Sequence, residues 1–262
     1  MKLGIIRNQK DAQAFTYAKE HGLSFVELCL NFEPDTQQFI AQVPTLKKRS
    51  EEAGIPLASI GRWNASPLDE QGKVKPHLLE EAKRTMDGAA ALKCPVYVCG
   101  VNYVEGLSLY RNYSAAIDFF GQMLDYARPL GLKVAVYNCD WNNWIHGARE
   151  WEVVLGELPE LGIKFDASHA IAGGRDYLGE MRDWAGRFYH VHVKGYVQIN
   201  GKYVDASPAG LDGIDWHTVM AILYANGYDA GLSIEPHSSV WQGDLGERGI
   251  AYTIRYMKKL IV

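Results

Sequence analysis

VAVYNCDWNNW (Val134–Trp144) changes character partway along. It starts with β-branched and small apolar residues, the pattern of a strand buried on both faces. It continues with amides, an acid and two indoles, which belong at a solvent-facing rim. The same passage from apolar run to polar rim recurs along the chain, in LGII (3–6), FVEL (25–28), LASIG (57–61), VYVCG (96–100), KVAVY (133–137), IKFD (163–166), YHVHV (189–193) and LSIE (232–235). Between these runs lie segments of helical period such as DAQAFTYAKEHG, DTQQFIAQVPTLKKRSEEAG, HLLEEAKRTMDGAAALK and SAAIDFFGQMLDYARPLG, several closing on glycine. Regular strand and helix alternation implies parallel pairing. Eight such units in 262 residues predict a single (β/α)8 TIM barrel spanning 1–262. A doubly wound sheet would more often carry a glycine fingerprint, and no GxGxxG follows the first strand.

Composition narrows the function classes. The 27 Lys and Arg nearly balance the 31 Asp and Glu, for a formal charge of -4, so no basic face is offered to nucleic acid or an anionic membrane. No apolar run approaches the roughly 20 residues of a membrane helix, and the opening MKLGIIRNQKDAQAF turns charged before a signal-peptide core could form. A cytoplasmic location is expected. The cysteines Cys29, Cys94, Cys99 and Cys139 lack CxxC spacing, which argues against a disulfide framework or a structural zinc site.

In a barrel, chemistry collects where strands end. Strand five ends at Tyr137, strand six at Asp166, strand seven at His192 and strand eight at Glu235. Asp166, His192 and Glu235 are metal-ligand types, and their convergence would make an open N/O site for Mn, Mg, Co or Zn. Each alone has a plainer reading, since an Asp at a strand end often caps the next helix. His169 can look into the same mouth, and Lys194 shares the parity of His192. His190 has that parity too, as a deeper lumen residue. His237, Arg62, Trp63 and Trp141 are further candidates for substrate contact, with Trp144 as a second possible wall for a sugar ring. The long segments after strands three and seven (61–77 and 194–215) lie on the same face.

The stretches IKFDASHAIAGG, YHVHVKGY, PAGLDGIDWHTVMAIL and LSIEPH resemble the sugar isomerase/epimerase family of xylose-isomerase-like barrels. The resemblance implies a divalent metal, often Mn, held by Glu, Asp, His and Glu, with the two glutamates exchanging protons with a ketose. Asp166, His192 and Glu235 match ligands and His169 matches a substrate-binding histidine. The first glutamate falls at Tyr137 and is missing. FDASHAIAGGRD is also similar to inosose dehydratases, whose corresponding strand tends to carry a tyrosine.

The expectation is therefore a metal-dependent isomerase or epimerase that abstracts a proton alpha to the carbonyl of a sugar or polyol ketone. Glu235 would be the base, Tyr137 an acid and His169 a catalytic or substrate-fixing group. Alternatives are a lyase acting on an inosose or keto-sugar and a non-catalytic sugar-binding barrel or subunit, and the oxygen missing at Tyr137 would come from water or substrate, or from Asn138 or Asp140, unless the metal has been lost. A small-molecule partner and a possible homo-oligomer complete the expectation.

Overall fold

The computed structural model describes residues 1–262, and its strands are numbered here in chain order. β1 (Lys2–Asn8), β2 (Val26–Leu30), β3 (Leu57–Arg62), β4 (Val96–Cys99), β5 (Lys133–Tyr137), β6 (Gly162–Asp166) and β7 (Phe188–Val193) are followed by a hairpin, β8 (Val197–Ile199) and β9 (Lys202–Asp205), and then by β10 (Gly231–Ile234). All except β8 and β9 form a closed barrel in the order β1-β10-β7-β6-β5-β4-β3-β2. Parallel pairing of β1 with β10, from Lys2 opposite Gly231 to Ile5 opposite Ile234, seals it. The expected (β/α)8 architecture is the observed one. The long segment after the seventh barrel strand holds an antiparallel hairpin, β8 paired with β9.

Helices α1 (Ala14–Glu20), α2 (Glu33–Ala53), α3 (Pro76–Ala91), α4 (Leu109–Ala127), α5 (Ala148–Glu157), α6 (Ala167–Ala172), α7 (Tyr177–Trp184), α8 (Trp216–Ala225) and α9 (Gly243–Lys258) clothe the outside. α2 stops at Gly54, whose φ of 68° is the left-handed conformation that glycine adopts without penalty.

Strand parity divides the side chains of β5. Val134 and Val136 join the large core between sheet and helices. Ala135 and Tyr137 point the other way, into a lumen cluster with Trp63, Val96, Val98 and Cys139. That cluster fills the β3–β5 side of the lumen. The β2, β6, β7 and β10 side is instead polar, lined by the fully buried Glu27, Lys164, His190, His192 and Ser233.

Two glycines make room for the aromatic half. A Cβ on Gly61 would stand 1.6 Å from the Trp63 ring, and one on Gly100 would stand 2.5 Å from Cζ of Tyr137. Tyr137 cannot retreat, because Trp63 stacks on it with ring centroids 5.9 Å apart. Gly100→Ala should therefore overpack the lumen and cost about 1–3 kcal/mol. Thermal unfolding should show it as a lower Tm, by roughly 2–4 °C per kcal/mol for a chain of this size. An unchanged Tm would mean that Tyr137 is free to move.

Candidate active site

β6, β7 and β10 end side by side and deliver Asp166, His192 and Glu235 to one place. One donor atom from each lies within 4.8 Å of the others. Asp166 is fully buried and its two oxygens have separate tasks. Oδ1 accepts hydrogen bonds from the Ser168 backbone N–H (2.9 Å) and hydroxyl (2.7 Å), capping α6. Oδ2 has no hydrogen-bond partner and faces Lys194 Nζ at 3.2 Å, His169 Nε2 at 3.6 Å and Lys164 Nζ at 3.7 Å. Its main chain is clamped as well: Asn138 donates to the Asp166 carbonyl (2.8 Å) and accepts from its N–H (2.9 Å).

His192 lies between two carboxylates. Nδ1 is 2.8 Å from Glu235 Oε2, and Nε2 is 2.9 Å from Glu27 Oε2. The same Glu27 oxygen is 2.8 Å from His190 Nε2, which also lies 3.0 Å from the Ser233 hydroxyl. With Nε2 committed to Glu27 as donor, Nδ1 is the nitrogen left to face Asp166 and Glu235. This is the arrangement by which a carboxylate fixes the tautomer of a ligating histidine. Glu27, His190 and His192 form a second, deeper group of potential ligands.

The charge states follow from these contacts. Burial penalises the Asp166 carboxylate, but the ammonium groups of Lys194 and, further off, Lys164 outweigh it and hold the carboxyl well below the usual range. Burial likewise opposes ionisation of Glu235 and Glu27, and is overcome by Lys194 and His192 at the first and by His192 and His190 at the second. Lys194 is disfavoured by burial yet raised by Asp166 and Glu235, so its ammonium persists. Burial and the adjacent Lys194 push His169 down to about 3, leaving it neutral. Its Nε2, 2.9 Å from Lys194 Nζ, is then the acceptor.

Above these groups opens a cavity of about 430 Å³, a volume suited to a small polar molecule. His169, Lys194, Glu235, His237, Trp63 and Trp141 all border it. His237 is mostly exposed, with Nδ1 3.4 Å from Glu235 Oε1. Trp141, also exposed, packs edge-on against Phe32 across the mouth. The donors beneath the cavity are of a type that suits a divalent cation: two carboxylates and an imidazole converge, and Asp166 Oδ2 makes no hydrogen bond, its charge being balanced by the ammonium groups of Lys194 and Lys164.

Other candidates are drawn elsewhere. Arg62 points away from the lumen, where its Nε donates to Glu81 Oε1 on α3 (2.7 Å) and its Nη1 to the carbonyls of Asn31 and Trp63. It braces β3 against the helical layer, because its parity is opposite to that of Trp63. The Tyr137 hydroxyl donates to the Trp141 carbonyl (2.7 Å), and burial raises its pKa far above the ordinary phenol value. Asn138 is occupied by Asp166, and Trp144 packs with Tyr103 and Tyr113. Glu27 and Lys164 were not singled out in the sequence. The signal was present in the lumen parity of β2 and β6, but only the closed barrel brings β2 across to β7.

Residues 15–260 match the family described as xylose isomerase-like TIM barrel. Among curated proteins none matches the chain. Among solved structures, a xylose isomerase domain protein from Planctomyces limnophilus superposes with a TM-score of 0.78 at 16% identity, covering 99% of this chain and 96% of that one. A 3-keto-D-glucoside 4-epimerase from E. coli gives a TM-score of 0.79 at 15% identity, with 99% of each chain covered. A mannonate dehydratase from Streptococcus suis gives 0.77 at 16% identity, with 99% and 93% covered. At such identities the likeness establishes the fold, and the match over nearly the whole length establishes the family: the chain belongs to the xylose isomerase-like TIM barrels.

Proposed function

We propose that the protein is a metal-dependent sugar isomerase or epimerase that abstracts a proton alpha to the carbonyl of a polyhydroxylated ketone or aldose. The observation that carries this reading is the convergence of Asp166, His192 and Glu235 beside a cavity that His169 and Lys194 also border. A divalent cation, of which Mn is the first choice and Co, Mg or Zn the others, would be held by these three residues and would supply positive charge against the developing enediolate.

The chain's own groups divide the remaining work. Glu235 is ionised and borders the cavity, so it is the base that takes the proton from the carbon next to the carbonyl. His169 is neutral and fixes a substrate hydroxyl through Nε2, the atom now facing Lys194. Lys194 presents an ammonium where an oxygen gains negative charge. Trp63 and Trp141 exclude water from one side. Glu235 is the one carboxylate that borders the cavity, and the Tyr137 hydroxyl is committed to the Trp141 carbonyl. That favours a proton returned on the face from which it left, as in aldose and ketose isomerisation. The same single base and the Lys194 ammonium would also serve elimination of a beta hydroxyl, a lyase reaction that the dehydratase-like fold neighbour makes the second reading.

Metal content by elemental analysis is the primary test. Near one divalent ion per chain is expected, lost in Asp166→Ala and His192→Ala, and bound about 10–100-fold more weakly in Glu27→Gln, which removes the charge behind His192. Trace metal unchanged in all of them, with no uptake on adding Mn, would rule out the metal-dependent mechanism.

Exchange of the alpha proton for deuterium in D2O, followed over a set of ketoses and inososes, reports the base. Glu235→Gln should slow it by about 10²–10⁴-fold. An unsaturated or diketo chromophore in place of exchange would assign the lyase reaction. Exchange unaffected by Glu235→Gln would eliminate Glu235 as the base.

The same charge states set a pH dependence of stability. His169 takes up a proton near 6.5 when unfolded but only near 3 when folded, so the unfolded chain binds more protons between those values and stability falls as pH falls. Asp166, Glu235 and Glu27, depressed in the fold, add to that loss at lower pH. His192 acts in the opposite sense: its pKa is raised in the fold, so its contribution is complete below 6.5 and is lost as pH rises through its folded value. Tm should drop between pH 6.5 and 4 with a slope of up to about 1.4 kcal/mol per pH unit for each proton involved. His169→Asn should flatten this slope. Superimposable profiles for the two proteins would mean that His169 is not held neutral.

A further inference from the structure

Lys164 is not used in the mechanism above. β6 places it in the lumen one pleat below Asp166, opposite His190 of β7, and its side chain is 1% exposed. Lysine is among the residues least often buried to this degree, and buried charges are normally both paired and hydrogen-bonded. Lys164 has neither in full. Its only carboxylate neighbour is Asp166 Oδ2 at 3.7 Å, beyond hydrogen-bond range. Lys194 holds the closer approach to that oxygen, at 3.2 Å, and also has Glu235 Oε2 at 3.4 Å and His169 at 2.9 Å. If Asp166 is given over to a cation, the claim of Lys164 on it weakens further. Its ammonium borders the cavity with no protein acceptor.

The surroundings reinforce the imbalance. Among the residues bordering the cavity, Arg7, Lys164 and Lys194 are basic and Glu235 alone is acidic, in a chain whose formal charge is -4. A neutral ketose would offer the Lys164 ammonium only uncharged oxygens, beside the Asp166 carboxylate that Lys164 shares with Lys194. A ligand that carries its own anion would satisfy it.

We propose that the substrate carries a carboxylate, making it an acidic sugar, and that Lys164 receives this group in a charge-assisted hydrogen bond at the floor of the cavity. The inference rests on the sugar reading above and narrows its substrate class. A phosphate fits less well, since it is usually cradled by several backbone N–H groups at a helix N-terminus, whereas Lys164 offers one ammonium from mid-strand.

Calorimetric titration of the metal-loaded protein with three ligands sharing one six-carbon chain tests this: D-glucitol, D-gluconate and D-glucitol 6-phosphate. Gluconate is expected to bind about 10–100-fold more tightly than glucitol, the range of a charge-assisted hydrogen bond. Lys164→Met, which keeps the unbranched stem, should reduce that ratio to near one. Its Tm should stay close to that of the parent, since the ammonium it removes makes no hydrogen bond and Lys194 keeps the nearer place at Asp166. Equal binding of glucitol and gluconate by the parent would overturn the acid inference and leave the sugar reading standing. Tightest binding of the phosphate, or a gluconate preference that survives in Lys164→Met, would overturn it too. Binding of none of the three would defeat both readings together. The parent comparison stands alone should the variant not fold.

Discussion

Closing an eight-stranded parallel sheet on itself gives every second side chain of every strand a single destination, the lumen. Nothing placed there can relax outward, and a space enclosed by packed strands tolerates neither overfilling nor an unpartnered charge. This lumen meets the two demands on opposite sides. Around β3, β4 and β5 it is filled by Trp63, Tyr137 and aliphatic residues, with Gly61 and Gly100 yielding the volume that the rings occupy. Around β2, β6, β7 and β10 it is filled by charge, and that charge has to be neutralised internally.

Neutralisation depends on sharing. One oxygen of Glu27 serves two imidazoles, His190 and His192, and His192 passes the connection on to Glu235. Lys194 then links Glu235, Asp166 and His169. Removing one member of such a network leaves its partners charged and desolvated, which makes breaking it far more costly than its net contribution to stability would suggest. The same coupling explains why adjacent residues ionise so differently: Asp166 and Glu235 are held charged while His169, beside Lys194, is held neutral. The proposed division of roles between base and hydroxyl-binding group thus rests on the packing.

Tyr137 occupies the position where the family resemblance leads one to expect a glutamate. Its ring belongs to the apolar half of the lumen, and its hydroxyl is tied to the carbonyl of Trp141 four residues on. It shapes the rim that carries Trp141 and is not aimed at the carboxylates. The site is consequently one-sided, with its ionisable groups on β6, β7 and β10 facing an aromatic wall formed after β3 and β5.

The alternation of apolar runs with helical segments was enough to specify the barrel, because period-2 and period-3.6 patterns with short connections leave few topologies open. Asp166, His192, Glu235, His169 and Lys194 were legible for a related reason: a strand-end residue of ligand type in a barrel has only the mouth to face. Arg62 was legible as a polar strand-end residue but not in its direction, since the one-residue difference in parity from Trp63 that turns it toward Glu81 depends on where β3 begins and how it pairs with β2. Glu27 looked like one polar residue in an apolar run. Its partners His190 and His192 lie 163 and 165 residues away and reach it only when β10 closes the ring between β7 and β1. Lys164 was hidden in the same way, its isolation depending on Lys194 taking the nearer place at Asp166. The local pattern thus determined which elements form and which residues stand at their ends. The tertiary structure alone decided which charges meet, because pairing in a closed lumen is a matter of distance across the barrel, and no spacing along the chain encodes it.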